Sequence, residues 1–399
     1  MQITDLAKEQ QIPAWWRLAF RPLFAAAGGF AVVAVSLWGL LLAGLIQLPL
    51  QVDPLFWHSH EMLFGMVTAA VGGFLLTAAQ NWSGLRGLHG RALQALVGVW
   101  LLGRLGFFLP MPLVAQAALD LLYLPCLALA LGWPIWRARL YRNLFFVPVL
   151  LLLTLCNALM WLGQLQSKPM LQQHAIHSAI MLICMLMLII GGRVLPGFTA
   201  NGLQQAVRPA LPWLTNAALG FAWAVTLLEL SMQQAKLPWQ LYACLALLAG
   251  GLNLARWLRL APWRTTRVPL LWSLHLAYGC VGLGFVLLGL QQAGWLALSR
   301  SLVLHVFTVG GMGLMILSMM SRVSLGHSGR PLHCPSAMRW AFGLLVAAAL
   351  CRVLVAALFP AWYSQAVLLA ACCWVLGFTL FVYCYWPILS QPRVDGRPG

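Results

Sequence analysis

Apolar runs of about 20 residues recur along the whole chain, and short segments rich in Pro, Gly and Arg separate them. An α-helix of this length crosses the hydrocarbon core of a bilayer. The pattern predicts an all-α, polytopic membrane helix bundle of about twelve transmembrane helices, with residues 1–399 forming a single transmembrane domain. The predicted spans are 20–46, 56–80, 92–110, 113–134, 143–164, 173–192, 211–231, 239–258, 269–291, 299–321, 337–359 and 363–386.

Composition supports this class of protein. The chain is 62% hydrophobic and 8% charged, with a mean hydropathy of +0.86, which is typical of an integral membrane protein in a lipid bilayer. The formal charge of +17 is compatible with binding to nucleic acid, but the basic residues are scattered through short connecting segments rather than gathered in one patch. We therefore expect no nucleic-acid partner, and interpret the basic residues as determinants of topology.

The basic residues also predict an orientation. With a cytoplasmic N-terminus, 19 Lys and Arg residues fall in inner segments and 3 in outer loops. The outer ones are Lys168, Lys236 and Arg300. Because positive charge accumulates on the cytoplasmic side, both termini are predicted to be cytoplasmic.

The inner ends of two spans resemble each other. Arg193–Thr199 follows His177 by 16 residues, counted to its Arg, and Arg322–Ser328 follows His305 by 17. The second span shows a looser version, with His60 upstream of a polar end. These spans are four apart, which predicts three four-helix repeats, 18–140, 141–260 and 265–390. The alternative is that polar helix ends resemble one another by chance.

Ionisable side chains inside a membrane are costly, so they usually face a cavity, a partner or a metal. With the predicted orientation, one group of such residues shares a similar depth in the outer part of four spans. The group consists of His58, His60, Glu61, Arg104, His174, His177 and His305. This convergence predicts a haem or metal centre.

Neutral imidazole binds both haem iron and copper. His174 and His177 are three residues apart and share a helical face, so together they can chelate copper. His58 and His60 are about 200° apart around a helix and cannot both point at one metal. If one of them binds iron, the other, or Glu61, serves a second site or forms a hydrogen bond to a metal ligand.

Simpler readings remain for several of these residues. A single histidine at a helix end is often an interfacial residue. Arg104 can neutralise haem propionates, or it can form only a buried ion pair with Glu61. Gly310, Gly311 and Gly313 form a strip without side chains, which admits either a flat macrocycle or a neighbouring helix.

His275 lies apart from this group, in the inner half of the ninth span. It can bind a second haem, with Arg193, Arg322 or Arg330 near the propionates. It can equally line a proton or quinol path, or be a packed core residue.

Several motifs occur in order from residue 20 to about residue 332 and resemble the NnrS family of bacterial membrane proteins. They are Phe20–Phe24, Trp57–Met62, Gly73–Ala78, Asn81–Gly84, Gly192–Pro196, Leu274–Tyr278 and Met315–Leu332. The resemblance implies a twelve-span, haem- and copper-containing protein of the bacterial inner membrane. It also implies a link to denitrification and to defence against nitric oxide.

The arrangement of histidines on spans two, six and ten is similar to that in the catalytic subunit of haem–copper oxidases and nitric oxide reductases. This likeness rests on topology and is an analogy. The chain departs from that pattern because its seventh span has no clear His-His pair. Beyond Glu61 and Glu229, we identify none of the acidic residues that usually accompany the iron centre of nitric oxide reductases.

These features of the sequence are compatible with three functions. The first is an oxidoreductase acting on nitric oxide with one or two b-type haems, with or without copper. In it, Glu61 or a water path supplies protons, and a cytochrome or quinol supplies electrons. The second is a non-catalytic haem–copper protein that binds, senses or buffers nitric oxide. The third is a transporter, because internal repeats and intramembrane polar residues are also features of transporters.

Overall fold

The computed structural model describes residues 11–231 and 238–397. Within these residues the chain is helical and has no strand. Eleven of the helices are long and apolar enough to cross a membrane. They are α1 (Phe20–Leu42), α2 (Pro54–Ser83), α4 (Leu113–Arg137), α5 (Tyr141–Leu165), α6 (Pro169–Gly202), α7 (Pro212–Leu230), α8 (Trp239–Leu258), α9 (Pro269–Gln292), α10 (Arg300–His327), α11 (Ser336–Leu358) and α12 (Pro360–Ser390).

A shorter helix, α3 (Gly90–Gly106), completes the set with 17 residues, a length of about 26 Å. The twelve helices correspond in order to the twelve predicted spans, so the prediction of an all-α multi-pass membrane protein is confirmed. The cytoplasmic placement of the termini and the three repeats stay predictions. Lys236, placed in an outer loop by the charge pattern, lies outside the described residues.

Local sequence signals explain where α2 begins and ends. The Asp53 side chain accepts hydrogen bonds from the backbone N–H groups of Leu55, at 2.8 Å, and Phe56, at 3.3 Å. Pro54 occupies the first helical turn, where its missing N–H costs nothing. Gly84 ends the helix in the left-handed region, with φ +67°, which glycine adopts without strain.

Two helices, α6 and α10, end at least six residues later than predicted. α6 continues past residue 192 and through Pro196 to Gly202, and α10 continues past residue 321 to His327. Arg193 and Arg322 are therefore helical rather than in loops. Packing explains the difference, because apolar residues in both extensions, such as Leu195 and Leu325, are buried. Their burial outweighs the helix-ending signals of proline and arginine.

The helices that carry the candidate histidines are the most buried ones. In α2, α6, α9 and α10, between 67% and 78% of an apolar stretch of 18 residues is buried inside the protein. In the other helices that are long enough to cross a membrane, the buried share is 28–44%. All six histidines predicted as ligands lie on these four helices. Polar groups are thus placed where protein, rather than lipid, can provide partners.

Three π-helical segments interrupt the long helices. One, Glu61–Val67, directly follows His60, and another, Val306–Gly313, directly follows His305. The third is Cys351–Val355 in α11. Segments of π-helix are rare and frequently occur at functional sites. Because two of these segments directly follow His60 and His305, they support both histidines as candidates for a functional site.

The contacts divide the described chain into two compact units. The first contains residues 11–176, 320–335 and 378–397, and the second contains 177–231, 238–319 and 336–377. The first unit thus holds α1–α5, and the second holds α7–α9 and α11, while α6, α10 and α12 contribute to both. A division by contacts does not test a repeat in the sequence.

Arg21 connects the start of α1 to the end of α12 within the first unit. Its side chain is fully buried. Its Nη1 group donates to the carbonyl oxygens of Ile388, at 3.2 Å, Leu389, at 2.9 Å, and Gln391, at 2.6 Å. The last carbonyls of a helix lack intrahelical donors, so the guanidinium caps this helix end.

We predict that Arg21→Gln destabilises the protein, because the capped carbonyls lose their buried donor. The expected loss in the free energy of unfolding is about 1–3 kcal/mol. The measurement is an unfolding titration in mixed micelles followed by far-ultraviolet circular dichroism. Arg142→Gln, at an exposed position, is the control and should be near neutral. Equal effects of the two substitutions would contradict the capping role.

Candidate functional site

A network of charged side chains is buried in the first unit. His60, Glu61, Arg104 and Asp120 are 0%, 1%, 4% and 3% exposed. Nδ1 of His60 lies 2.9 Å from Oε1 of Glu61, and its Nε2 lies 3.0 Å from Oδ2 of Asp120. Arg104 donates to Glu61 at 2.7 Å and also to Asp120. We call these four residues, with Asn157, the Arg104 network.

Two residues of α5 extend the hydrogen bonding around Asp120. Asn157 donates from Nδ2 to Asp120 Oδ2 at 2.7 Å, and Trp161 donates from Nε1 to the same oxygen at 3.0 Å. The amide oxygen of Asn157 also lies 2.9 Å from Nε2 of His60. The network therefore ties α2, α3, α4 and α5 together.

Aromatic rings surround His60 and keep this region apolar. The His60 ring stacks on Phe56, with 5.6 Å between centroids and 13° between planes. Three more rings lie 5.2–5.5 Å away, those of Phe64, Phe107 and Trp161. Charge–charge attraction is stronger in such surroundings, and an unpaired charge is correspondingly costly.

The π-helical segment after His60 makes room for Arg104. A Cβ atom at Gly65 would lie 2.8 Å from Arg104 Nη1 and 2.7 Å from the Phe30 ring. The Gly65 carbonyl also accepts a hydrogen bond from Trp100 Nε1 at 3.0 Å. Glycine at this position allows α3 to approach α2 closely enough for the ion pair to form.

The charges of the network define what it can do chemically. A hydrogen bond from a ring nitrogen to a carboxylate requires a proton on that nitrogen. Because both nitrogens of His60 face carboxylate oxygens, the charges of Arg104, Glu61 and Asp120 balance when His60 or one carboxylate carries an additional proton. The network can therefore hold a proton inside the membrane.

The structure brings together His60, Glu61 and Arg104, and it shows that Arg104 forms the ion pair with Glu61. Asp120 and Asn157 were missed. The available signal was Asp120 itself, an acidic residue within an otherwise apolar span. Both nitrogens of His60 already have protein partners, so the residue as it stands does not fit a metal ligand. Its assignment as one stays a prediction.

His58 lies in different surroundings, as helical geometry predicts. Its ring is half-buried and stacks on Trp38, with 4.4 Å between centroids and 11° between planes. His174 belongs to the same unit and is buried, whereas His177 is half-buried and belongs to the second unit. Among the residues described, no group of three or more His, Cys, Asp or Glu side chains forms a metal site. The copper site at His174 and His177 and the convergence of the outer histidines remain predictions.

His305, in the second unit, has the hydrogen bond that orients metal-binding imidazoles. Its Nδ1 lies 2.6 Å from the backbone carbonyl of Ser301, one turn earlier in α10. A carbonyl only accepts, so Nδ1 carries the proton and Nε2 carries the lone pair. Metal-ligating histidines use this arrangement. His305 therefore fits a ligand to haem iron.

The glycine strip after His305 is occupied by neighbouring helices. Cβ atoms at Gly310 and Gly311 would each lie 3.1 Å from a side-chain atom of α9, in Cys280 and Val281 respectively. One at Gly313 would overlap the ring of Trp374 in α12. Of the two readings of this strip, the structure shows helix packing.

His275 is 1% exposed, and its Nε2 lies 2.8 Å from the hydroxyl of Thr199 in α6. Its Nδ1 is buried and has no hydrogen-bond partner in the described part of the chain. An unsatisfied buried nitrogen is unusual and fits a ligand that completes it. Arg193 belongs to the same unit and Arg322 to the other. Their contacts with propionates stay a prediction.

A third buried carboxylate, Glu229 of α7, pairs with Arg300, which the charge pattern places in an outer loop. Arg300 donates from Nη2 to Glu229 Oε1 at 2.5 Å, and the Tyr242 hydroxyl donates to the same oxygen. Arg300 is the first residue of α10. This ion pair joins α7, α8 and α10 within the second unit.

The fold and the site define a multi-pass helical membrane protein with buried ion pairs and buried histidines. Residues 14–393 match the family described as NnrS protein. The chain belongs to this family, as its motifs indicated, and is thus a membrane protein of the nitric oxide response. A search of curated proteins found no match.

We predict that Gly65→Ala destabilises the protein by about 1–3 kcal/mol, because the new methyl group displaces Arg104 from its carboxylates. The free energy of unfolding in mixed micelles measures the effect. Gly98→Ala, in α3 with no atom within 4 Å of the added methyl group, is the matched control. It should be neutral or stabilising, since alanine favours a helix over glycine. If both variants were equally stable, Gly65 would not be the contact that admits Arg104.

Proposed function

We propose that the protein is a haem-dependent nitric oxide oxidoreductase of the bacterial inner membrane, with His305 as a haem ligand. The observation that carries this proposal is the hydrogen bond from His305 Nδ1 to the Ser301 carbonyl, because it leaves the Nε2 lone pair for iron. Membership of the NnrS family supports the choice of nitric oxide. Haem, when bound, supplies the iron that binds the diatomic molecule and exchanges electrons.

The Arg104 network suits the supply of protons. Joining two nitric oxide molecules to form nitrous oxide and water consumes two electrons and two protons. Glu61 is the proposed proton donor, because its carboxylate lies 2.9 Å from a ring nitrogen of His60 and belongs to a network that can hold an additional proton. A cytochrome or quinol is the proposed electron donor.

The proposal places copper on histidines outside this network. His174 and His177 are one helical turn apart, a spacing that suits chelation of one ion. His58 is held by stacking on Trp38, which limits the directions that its ring can face. His275, with its unsatisfied Nδ1, is the proposed ligand of a second haem.

The alternative is a non-catalytic haem–copper protein that binds or buffers nitric oxide. The observation that favours this alternative is that the carboxylate of Glu61 contacts both Arg104 and His60. A carboxylate held by two partners also suits a purely structural ion pair. In that case Glu61 delivers no proton, and the protein would bind nitric oxide without consuming it.

We predict that His305→Ala loses most of the haem that the purified wild-type protein contains, because the ligating imidazole is removed. The absorbance spectrum of the reduced protein, normalised to protein concentration, measures haem content. His333→Ala is the control, since His333 is exposed in the segment after α10. Full haem content in His305→Ala would contradict the assignment of His305.

We predict that Glu61→Gln keeps its haem spectrum and consumes nitric oxide roughly 10²–10⁴-fold more slowly than the wild type, because a proton donor is lost. Consumption is followed with a nitric oxide electrode after addition of a strong reductant. Glu229→Gln removes another buried, ion-paired carboxylate and should keep the wild-type rate. If haem-loaded wild-type protein neither consumes nitric oxide nor releases nitrous oxide, the non-catalytic alternative replaces the proposal.

A further inference from the structure

Arg352 lies in the π-helical segment Cys351–Val355 of α11 and played no part in the sequence-based site. Its guanidinium carbon is 5.6 Å from the centroid of the Tyr363 ring, in cation–π geometry. Its Nη2 group donates to the Ser301 hydroxyl at 3.1 Å. These two contacts hold the guanidinium in one place.

Ser301 joins Arg352 to His305. The Ser301 hydroxyl accepts from Arg352, and the Ser301 carbonyl accepts from Nδ1 of His305. One residue of α10 therefore positions both the candidate iron ligand and a cation. Buried apolar side chains pack α10, α11 and α12 together in this region of the second unit, namely Leu302, Ala356 and Ala366.

The hydrogen bonding of Arg352 is incomplete. Its Nη1 atom is buried and has no hydrogen-bond partner in the residues that the structure describes. Two other cations have carboxylates beside them, Arg104 with Glu61 and Arg300 with Glu229. Arg352 is half-buried and forms no ion pair with a described carboxylate, and a cation without a counter-ion within a membrane helix is costly. An anion from outside the chain would supply the missing partner.

Arg352 also lies at the depth of His305. His305 is five residues from the start of α10, or about 8 Å along the helix axis. Arg352 is six residues before the end of α11 at Leu358, or about 9 Å. A helix pair joined by one inner connection has these two ends on the same side of the membrane. A molecule held by His305 can thus present an acidic group to Arg352.

We propose that Arg352 binds a propionate carboxylate of the haem held by His305, with Nη1 as the donor. This inference rests on the proposed function, since it requires haem at His305. A guanidinium–carboxylate hydrogen bond is charge-assisted and among the stronger interactions of its kind. The bond would supply the counter-ion that Arg352 lacks and fix the rotation of the haem about its ligand bond.

The test compares haem with its dimethyl ester, in which both propionates are esterified. Each is titrated by absorbance into haem-depleted protein in detergent, using the wild type and Arg352→Gln. The wild type should bind haem roughly 10- to 100-fold more tightly than the ester, because the ester cannot accept a charge-assisted hydrogen bond. Arg352→Gln should reduce haem affinity to that of the ester and leave ester affinity unchanged.

Two further variants separate this role from a general effect on folding. Arg352→Lys keeps the charge without the planar fork of donors, so its haem affinity should fall between those of the wild type and Arg352→Gln. Arg339→Gln removes an exposed arginine from the same helix and should bind haem and ester as the wild type does. The comparison of haem with ester in the wild type does not depend on any variant folding correctly.

The outcomes distinguish failure of this inference from failure of the proposed function. Equal losses of haem and ester affinity in Arg352→Gln would overturn the propionate contact while leaving haem at His305 intact. A small free anion at Arg352 would instead make wild-type affinities for haem and ester equal, which also overturns it. If the wild type binds no haem, or His305→Ala binds it normally, the proposed function itself fails.

Discussion

A cation buried among membrane-spanning helices must find polar partners in the protein or in a bound ligand, because hydrocarbon offers none. The first unit depends on this constraint. Arg104 lies between the carboxylates of Glu61 and Asp120, and the three groups come from three helices whose packing is otherwise apolar. Apolar packing alone permits sliding and rotation of such helices, whereas an ion pair with two carboxylates fixes one arrangement. Arg21 solves the same problem differently, with backbone carbonyls as acceptors.

The need for polar partners also distinguishes the roles of His60 and His305, the two histidines that directly precede π-helical segments. His60 has oxygen atoms beside both ring nitrogens, so its ring belongs to the charge balance of the network. His305 has one nitrogen on a backbone carbonyl, which leaves the other for a ligand. A π-helical turn changes which side chains face a neighbouring helix. In each case it follows the histidine directly, so the ring and the residues after it can meet different partners.

Span positions were predictable from the sequence because length and apolarity are properties of one helix at a time. The ends of α6 and α10 were predicted too early, since their continuation depends on the burial of residues beyond Arg193 and Arg322. The ion pair of Arg104 with Glu61 was one of two alternatives. Asp120 and Arg352 could not be assigned, because their partners lie on other helices. Packing decides which way the few polar residues of an otherwise apolar helix face. The hydropathy of the sequence does not report this direction.

Incomplete hydrogen bonding then becomes the most informative property of a buried polar group. A buried donor or acceptor without a partner costs about 1–3 kcal/mol. Such a cost is removed when a ligand supplies the partner, and the free energy recovered in this way adds to the binding affinity. His275 Nδ1 and Arg352 Nη1 are two atoms of this kind in the second unit. The paired charges of Arg104 and Glu61 gain less from a new partner. On this argument, paired groups set the arrangement of the helices, and the groups left incomplete select what binds between them.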